Sequence, residues 1–289
     1  MNRQQIGLKK ITDISSLRNE VQSWRQVGES VALVPTMGNL HKGHMNLFKL
    51  AHEHADRLIV SIFVNPTQFG PGDDYAEYPR TLDADARRLA RCGADILFSP
   101  STEEIYPEGC EQMTSVFVKR LSGMFCGVTR PEHFEGVTSI VCRLFNIVAP
   151  DVTVFGQKDY QQLVILRRMV SDLHIPVKII TGQTQREKSG LAMSSRNQYL
   201  SKEEQKAAPT IYSALADCRK QLLVGRRDFL SLEAEGLDRL QTAGLDPEFF
   251  AICKAADLLP PDAGSERLVI LTGARLGAAR LIDNVLVEL

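Results

Sequence analysis

Val31-Ala32-Leu33-Val34-Pro35-Thr36-Met37-Gly38-Asn39-Leu40-His41-Lys42-Gly43-His44 is the stretch whose reading decides the fold. Its leading apolar residues predict a buried parallel strand, which Pro-Thr-Met-Gly ends in a turn. Beyond Gly43 the apolar spacing becomes helical, with Leu47, Phe48 and Ala51 on one face. A strand, a glycine-containing loop and a helix start bring backbone N–H groups and the positive end of a helix dipole to one place, which suits an anion. His41 and His44 stand on the first helical turn, where both can face one ligand. The stretch reads as a nucleotide site, and the other motifs decide which chemistry it serves.

Around it the chain alternates strand and helix. A helix over 11–28 carries Ile14, Leu17, Val21 and Trp24 inward, and Leu58–Val64 is a second strand. That strand runs into the polar loop Asn65-Pro66-Thr67-Gln68-Phe69. A helix over 82–91, a strand at 95–98, a strand at 113–119 and an apolar helix at 134–148 follow. Val152–Phe155 is a short buried strand that ends in Gly156-Gln157-Lys158-Asp159; a helix from Tyr160 to about Leu173 and a strand at 177–180 close the series. This rhythm predicts a doubly wound, Rossmann-like parallel α/β sheet over residues 1–184. After a polar, weakly periodic stretch come helices at 202–224 and 228–243 and strands at 249–254, 267–271 and 279–287. They predict a smaller α+β domain over 185–289. Pro260-Pro261-Asp262-Ala263-Gly264 reads as a surface loop.

The 289 residues suffice for two such domains, and 44% hydrophobic content supports a sizeable core. With 34 basic and 35 acidic residues, net charge −1, the chain lacks the basic excess of a nucleic-acid binder. It shows no membrane-spanning run and no signal-peptide core, and its six scattered cysteines lack a C-x-x-C pair. They are expected to be reduced core thiols in a cytoplasmic protein.

Open sheets of this kind bind ligands beyond the carboxyl ends of their strands. His41/His44, Asn65/Gln68 and Lys158/Asp159 all follow strand ends and are expected to converge on one crevice. Each has a plainer reading. Lys158 is either a solvated loop charge or an ammonium on phosphate oxygens; Gln161 and Gln162 are either surface amides or donors to a ligand hydroxyl. Met193-Ser194-Ser195-Arg196 is either a helix N-cap cluster or a clamp on a triphosphate. Four of the six histidines lie within 41–54, yet the spacing of a zinc helix is missing, so no metal site is expected, and His52 and His54 are expected to face solvent. There is no G-x-G-x-x-G.

Pro35-Thr36-Met37-Gly38, His41-Lys42-Gly43-His44, Asn65-Pro66-Thr67-Gln68-Phe69, Tyr78-Pro79-Arg80, Phe155-Gly156-Gln157-Lys158-Asp159-Tyr160-Gln161-Gln162-Leu163 and Gly190-Leu191-Ala192-Met193-Ser194-Ser195-Arg196-Asn197 together resemble the pantothenate synthetase (pantoate–β-alanine ligase) family in order and spacing. His-x-Gly-His alone indicates only the wider nucleotidyltransferase group. Two positions depart from the family's usual pattern: Glu132 in Arg130-Pro131-Glu132-His133-Phe134, where glycine is usual, and Ser189, where aspartate usually precedes Gly-Leu-Ala.

The resemblance implies an ATP-dependent ligase joining pantoate to β-alanine through a pantoyl adenylate, with Mg²⁺ accompanying ATP. It implies ATP contacts from Met37, Gly38, Asn39, Leu40, His41, Lys42, Gly43 and His44, from Gly156, Gln157, Lys158 and Asp159, and from Gln185, Met193, Ser194, Ser195 and Arg196. His41, His44, Lys158 and Arg196 would carry the chemistry. Asn65, Gln68, Arg130 and Gln162 would hold pantoate and β-alanine, with Met37 and Phe63 against the gem-dimethyl group. A homodimer, and a lid formed by the smaller domain, are further implied. The alternatives are another nucleotidyltransferase, a zinc hydrolase using the histidine cluster, and a nucleotide-binding regulatory module.

Overall fold

The computed structural model describes residues 7–262 and 264–289, so Ala263 of the expected surface loop lies outside it. The chain divides into two compact units. The first comprises the chain up to Ser122, Arg130–Gly156 and Ile165–Gly182; the second comprises Gly123–Thr129, Gln157–Val164 and Gln183–Leu289.

In the first unit, strands β1 (Lys9–Ile11), β2 (Val31–Thr36), β3 (Arg57–Ile62), β4 (Ile96–Phe98), β5 (Val152–Gly156) and β6 (Lys178–Gly182) form one sheet in the order β1-β4-β3-β2-β5-β6. Every pairing is parallel. Helices α1 (Ile14–Gln26), α2 (Lys42–His52), α3 (Leu82–Arg91), α4 (Thr102–Ile105), α5 (Cys126–Thr129, within the second unit), α6 (His133–Val148) and α7 (Tyr160–Asp172, its residues up to Val164 within the second unit) intervene. On one sheet face Ala32, Val34, Leu58, Val60 and Leu97 pack with Phe48 and Ala51 of α2 and Ala86 and Leu89 of α3. The alternate side chains Leu33, Ile59 and Ile96 are fully buried too. Period-two alternation therefore places apolar surface on both faces, which is why these strands read as continuous apolar runs.

The sheet reverses its winding between β2 and β5. Those strands pair only at Ala32↔Val152 and Leu33↔Thr153, although β2 continues to Thr36 and β5 to Gly156. Pro35, which has no N–H to give, falls in this stretch unpaired with β5 and costs no bond there. The carboxyl ends of the two strands thus leave the switch-point crevice in which open α/β sheets hold ligands.

The expected strand at 113–119 is not formed. Its backbone is satisfied by α6 side chains: the Val116 N–H donates to Ser139 Oγ (2.8 Å), Thr138 Oγ1 donates to the Val116 carbonyl, and Arg143 Nη2 donates to the Thr114 carbonyl (2.8 Å). β-branched composition there serves packing on a helix, not a ladder.

In the second unit, α8 (Lys202–Ala207), α9 (Thr210–Leu223) and α10 (Phe229–Thr242) precede an antiparallel sheet of β7 (Asp246–Lys254), β8 (Arg267–Leu276) and β9 (Ala279–Glu288) in the order β7-β8-β9. The single helix expected over 202–224 is two, because Pro209 cannot continue α8 and caps α9 instead. Leu215, Leu222, Leu240, Leu268 and Ile270 are fully buried in its core.

Residues 123–129 and 157–164 were expected with the chain before 184, yet they go with the second unit. Gln161 donates to the Met124 carbonyl (2.6 Å) and accepts from the Cys126 N–H (3.1 Å), and Tyr160 Oη donates to the Ala255 carbonyl (2.8 Å). Gln161 is therefore an internal tie.

The six cysteines are free; Cys126, Cys218 and Cys253 are buried, and Cys92, Cys110 and Cys142 are only partly so. Among the described residues no helix is long and apolar enough to cross a membrane.

Candidate active site

The loop after β2 is built around a buried carboxylate. Gly38 adopts φ +86°, and a β-carbon there would meet Ile62 and Asp85 at 3.0 and 3.3 Å, so only glycine fits. Asp85 of α3 is fully buried and accepts from the Asn39 N–H (2.8 Å), the Leu40 N–H (2.9 Å) and Thr81 Oγ1 (2.9 Å), with Arg88 Nη1 at 3.1 Å. The strand-to-helix turn is fixed by a side chain 45 residues downstream of it.

From this turn the chain enters α2 with His41 as N-cap and His44 in the third helical position. The two rings cap each other's backbone: the Gly43 N–H donates to His41 Nδ1 (3.1 Å), and the His41 N–H donates to His44 Nδ1 (3.2 Å). Both Nδ1 atoms are acceptors, so each neutral ring carries its proton on Nε2. The ring centroids are 4.1 Å apart. Two imidazole donors at the N-terminus of an 11-residue helix form an arrangement complementary to an anion.

The loop after β3 presents Gln68. Asn65 is 1% exposed and makes four hydrogen bonds: Nδ2 donates to Gln68 Oε1 (3.2 Å) and the Gly136 carbonyl (3.1 Å), while Oδ1 accepts from Tyr106 Oη (2.7 Å) and Thr67 Oγ1 (3.1 Å). These bonds use every donor and acceptor of the amide, and one of them orients Gln68. Burial pushes the Tyr106 hydroxyl up, so it remains a donor. With Oε1 held by Asn65, the Gln68 amide nitrogen faces Met37 Sδ at 3.0 Å.

Arg130 and His133 brace the same loop. Arg130 Nη2 donates to the Gln68 carbonyl (3.2 Å) and to Asp73 (2.8 Å), and His133 Nδ1 lies 2.9 Å from the Gln68 carbonyl. Burial pushes the Asp73 carboxyl up, but the Gly70 N–H, Arg130 and nearby His133 outweigh it and hold the group below the usual carboxylate range. Gly136 lets α6 approach: a β-carbon there would stand 2.3 Å from the Thr67 carbonyl oxygen and 2.6 Å from Gln68 Cα. Phe63 is buried with its ring 6.2 Å from that of Tyr106.

In the second unit, Gln157–Asp159 form a tight turn that places Lys158 Nζ 3.5 Å from Asp159. Gln162, one residue after the internal tie Gln161, is half-buried on α7. Gln185 to Met193 is a hairpin, closed by the Met193 N–H to the Gln185 carbonyl (2.9 Å) and the Glu187 N–H to the Leu191 carbonyl (2.8 Å). Arg186 ties it down: its guanidinium stacks 3.8 Å from the Tyr212 ring centroid and makes a two-pronged pair with Asp283. Ser194 accepts from the Arg196 N–H (3.3 Å), which is the capping role open to it from sequence. His52, expected in solvent, bonds the Cys92 carbonyl through Nε2 (3.0 Å), and exposed His54 lies past the end of α2. Among the described residues no three His, Cys, Asp or Glu side chains are grouped to hold a metal ion.

The family model described as pantoate-beta-alanine ligase matches residues 9–286. The chain belongs to the pantoate–β-alanine ligase family. A pantothenate synthetase from Nitrosococcus oceani is 50% identical over 282 residues, covering 98% of this chain and 99% of that one. A pantothenate synthetase structure from Thermus thermophilus superposes with TM-score 0.90 at 40% identity, covering 96% and 98% of the two chains. A pantoate-beta-alanine ligase structure from Francisella tularensis, described as complexed with beta-gamma ATP and beta-alanine, gives TM-score 0.79 at 34% identity over 96% and 97%. Membership of the pantoate–β-alanine ligase family makes the protein an enzyme.

The motif loops of this ligase family lean on residues elsewhere in the chain. Sequence reading missed Asp85, Tyr106, Gly136, Asp283 and Asn284, which touch the motif loops from elsewhere. Two left a trace: Asp85 interrupts the apolar face of α3, and Asp283 falls on the inward set of an alternating strand.

Proposed function

We propose that the enzyme condenses pantoate with β-alanine, driven by ATP, through a pantoyl adenylate. In the first half-reaction a pantoate carboxylate oxygen attacks the α-phosphorus of ATP as the bond to the bridging oxygen breaks and pyrophosphate leaves. In the second, the β-alanine amine attacks the acyl carbon, sheds a proton, and AMP departs with the carbon–oxygen bond's electrons. The adenylate exchanges an impossible leaving group, oxide, for a good one.

An anion must approach a polyanion, so positive charge and donors fixed in advance dominate the barrier. His41 and His44 supply Nε2–H donors at the helix N-terminus, and the backbone of Met37–Gly43 lines the phosphate path. Lys158 and Arg196 neutralise charge moving onto phosphoryl and pyrophosphate oxygens, with Gly156, Gln157, Asp159, Gln185, Met193, Ser194 and Ser195 as further nucleotide contacts. Mg²⁺ arrives with ATP as part of the substrate, and no protein carboxylate is assigned to it. Gln68, presenting its amide nitrogen, and Gln162 bond the pantoate carboxylate and hydroxyls and hold the nucleophile in line. Met37 and Phe63 face the methyl groups. Arg130 acts on pantoate through the Gln68 backbone. The same reading carries a homodimer and a cytoplasmic location.

The reciprocal histidine cap at the switch point of the sheet supports this reading most strongly, together with the relative whose structure is described with an ATP analogue and β-alanine. Incubation with MgATP and pantoate alone tests it. Pyrophosphate and a bound acyl adenylate are expected; absence of both, with active protein confirmed folded, refutes it.

A further inference from the structure

Strand β9 alternates. Ala279, Leu281, Asp283, Val285 and Val287 are all buried, whereas Arg280, Ile282 and Leu286 on the other face are half-buried. Asn284 breaks the pattern: it belongs to the second set and is 2% exposed. The turn Gln157–Asp159 covers it. Asn284 Nδ2 donates to the Gln157 carbonyl (2.8 Å) and the Lys158 carbonyl (2.9 Å), and Oδ1 accepts from Gln157 Nε2 (3.3 Å). Both amide hydrogens are committed to consecutive carbonyls. Next to it, Asp283 Oδ1 accepts the Asn284 N–H (2.8 Å), while Arg186 Nη2 donates to the Asn284 carbonyl (3.3 Å). The amide is held at its own backbone on one side and grips a foreign backbone on the other.

Two carbonyls anchored in sequence fix the peptide planes on either side of Lys158 Cα, and with them the direction in which its side chain leaves. A lysine side chain has a long, flexible stem, so its ammonium is only as well placed as the backbone beneath it. We propose that Asn284 is a positioning residue for Lys158, acting through the Gln157 and Lys158 carbonyls to hold the ammonium ready for the adenylation step. This rests on the reading that Lys158 neutralises phosphoryl charge.

The test is pyrophosphate release from MgATP and pantoate, without β-alanine, in Asn284→Ala, Asn284→Asp, Lys158→Ala and the Asn284→Ala/Lys158→Ala double variant. Asn284→Asp keeps the volume and exchanges the two donors for acceptors, and thermal unfolding of each variant identifies those that fold. Each Asn284 variant is expected to slow release by about 10- to 100-fold, the scale of a misplacement of roughly 1 Å, with the pantoate KM little moved. In the Lys158→Ala background, Asn284→Ala should add almost nothing, since a residue acting through Lys158 has nothing left to act on. Acylation of Lys158 read by mass spectrometry should be blocked by MgATP in the parent and not in the Asn284 variants. Folded Asn284 variants at the parent rate, or an equal loss with and without Lys158, would overturn the proposal. An unimpaired Lys158→Ala would instead remove the role given to Lys158 itself.

Discussion

The backbone N–H of His41 donates to Nδ1 of His44 at 3.2 Å, so the second histidine of the motif caps the backbone of the first at the start of the helix. One pair of rings satisfies helix-end donors and, by occupying both Nδ1 atoms, sets the tautomer that puts N–H at Nε2. Structure and chemistry can be separated here. His44→Gln retains a capping amide at the third helical position and should leave thermal stability near the parent's. His44→Ala should cost about 1 kcal/mol of stability. Both should lose about 10²–10³ in adenylation rate, read as pyrophosphate release.

Asp85 carries the loop that leads to those rings. Removing it orphans the part-buried N–H of Asn39 and the buried N–H of Leu40, and Asp85→Ala should destabilise the protein by about 2–4 kcal/mol in denaturant unfolding. Asp85→Asn keeps the size and one strong acceptor. It should fold, and raise the KM for ATP more than that for pantoate in steady-state kinetics.

Asn65 and Gln68 should behave as one unit on the pantoate side. Gln68→Ala is expected to weaken pantoate use far more than ATP use, and Asn65→Ala to follow it in the same direction. Their double variant should lose little beyond Gln68→Ala alone, because Asn65 acts by holding Gln68 Oε1. Equal losses for both substrates would mark a folding defect.

Gly136→Ala pushes a methyl group into the Thr67 carbonyl and Gln68 Cα. The helix or the loop must give way, at about 1–3 kcal/mol of stability. Pantoate kcat/KM should fall while the binding of MgATP, followed by calorimetry, stays near the parent's.

The α/β frame was legible because strands buried on both faces read as apolar runs and the intervening helices keep strong periodicity; Val31–Val34 and Leu58–Val60 needed no tertiary information. The stretch 113–119 was not, since its β-like composition is the same whether its backbone bonds a strand or the side chains of Thr138, Ser139 and Arg143. β1 is only Lys9–Ile11, too short for a pattern. Among the candidate site residues, glycines, histidines and glutamines in loops stood out by their motifs. Their supports did not: Asp85 bonds a loop 45 residues away, and Asn284 a turn 126 residues away. Such partners are fixed by the fold, and no spacing along the chain encodes them.

In the proposed reaction, carboxylate activation by ATP precedes the amine's attack and needs no amine. Rapid mixing of the enzyme with MgATP and pantoate, in the absence of β-alanine, tests it directly. The expected result is a burst of pyrophosphate that matches the number of active sites, accompanied by a bound acyl adenylate and diminished by about 10²–10³ in rate in Lys158→Ala. Pyrophosphate released only after β-alanine is added, or released equally without pantoate, would contradict it.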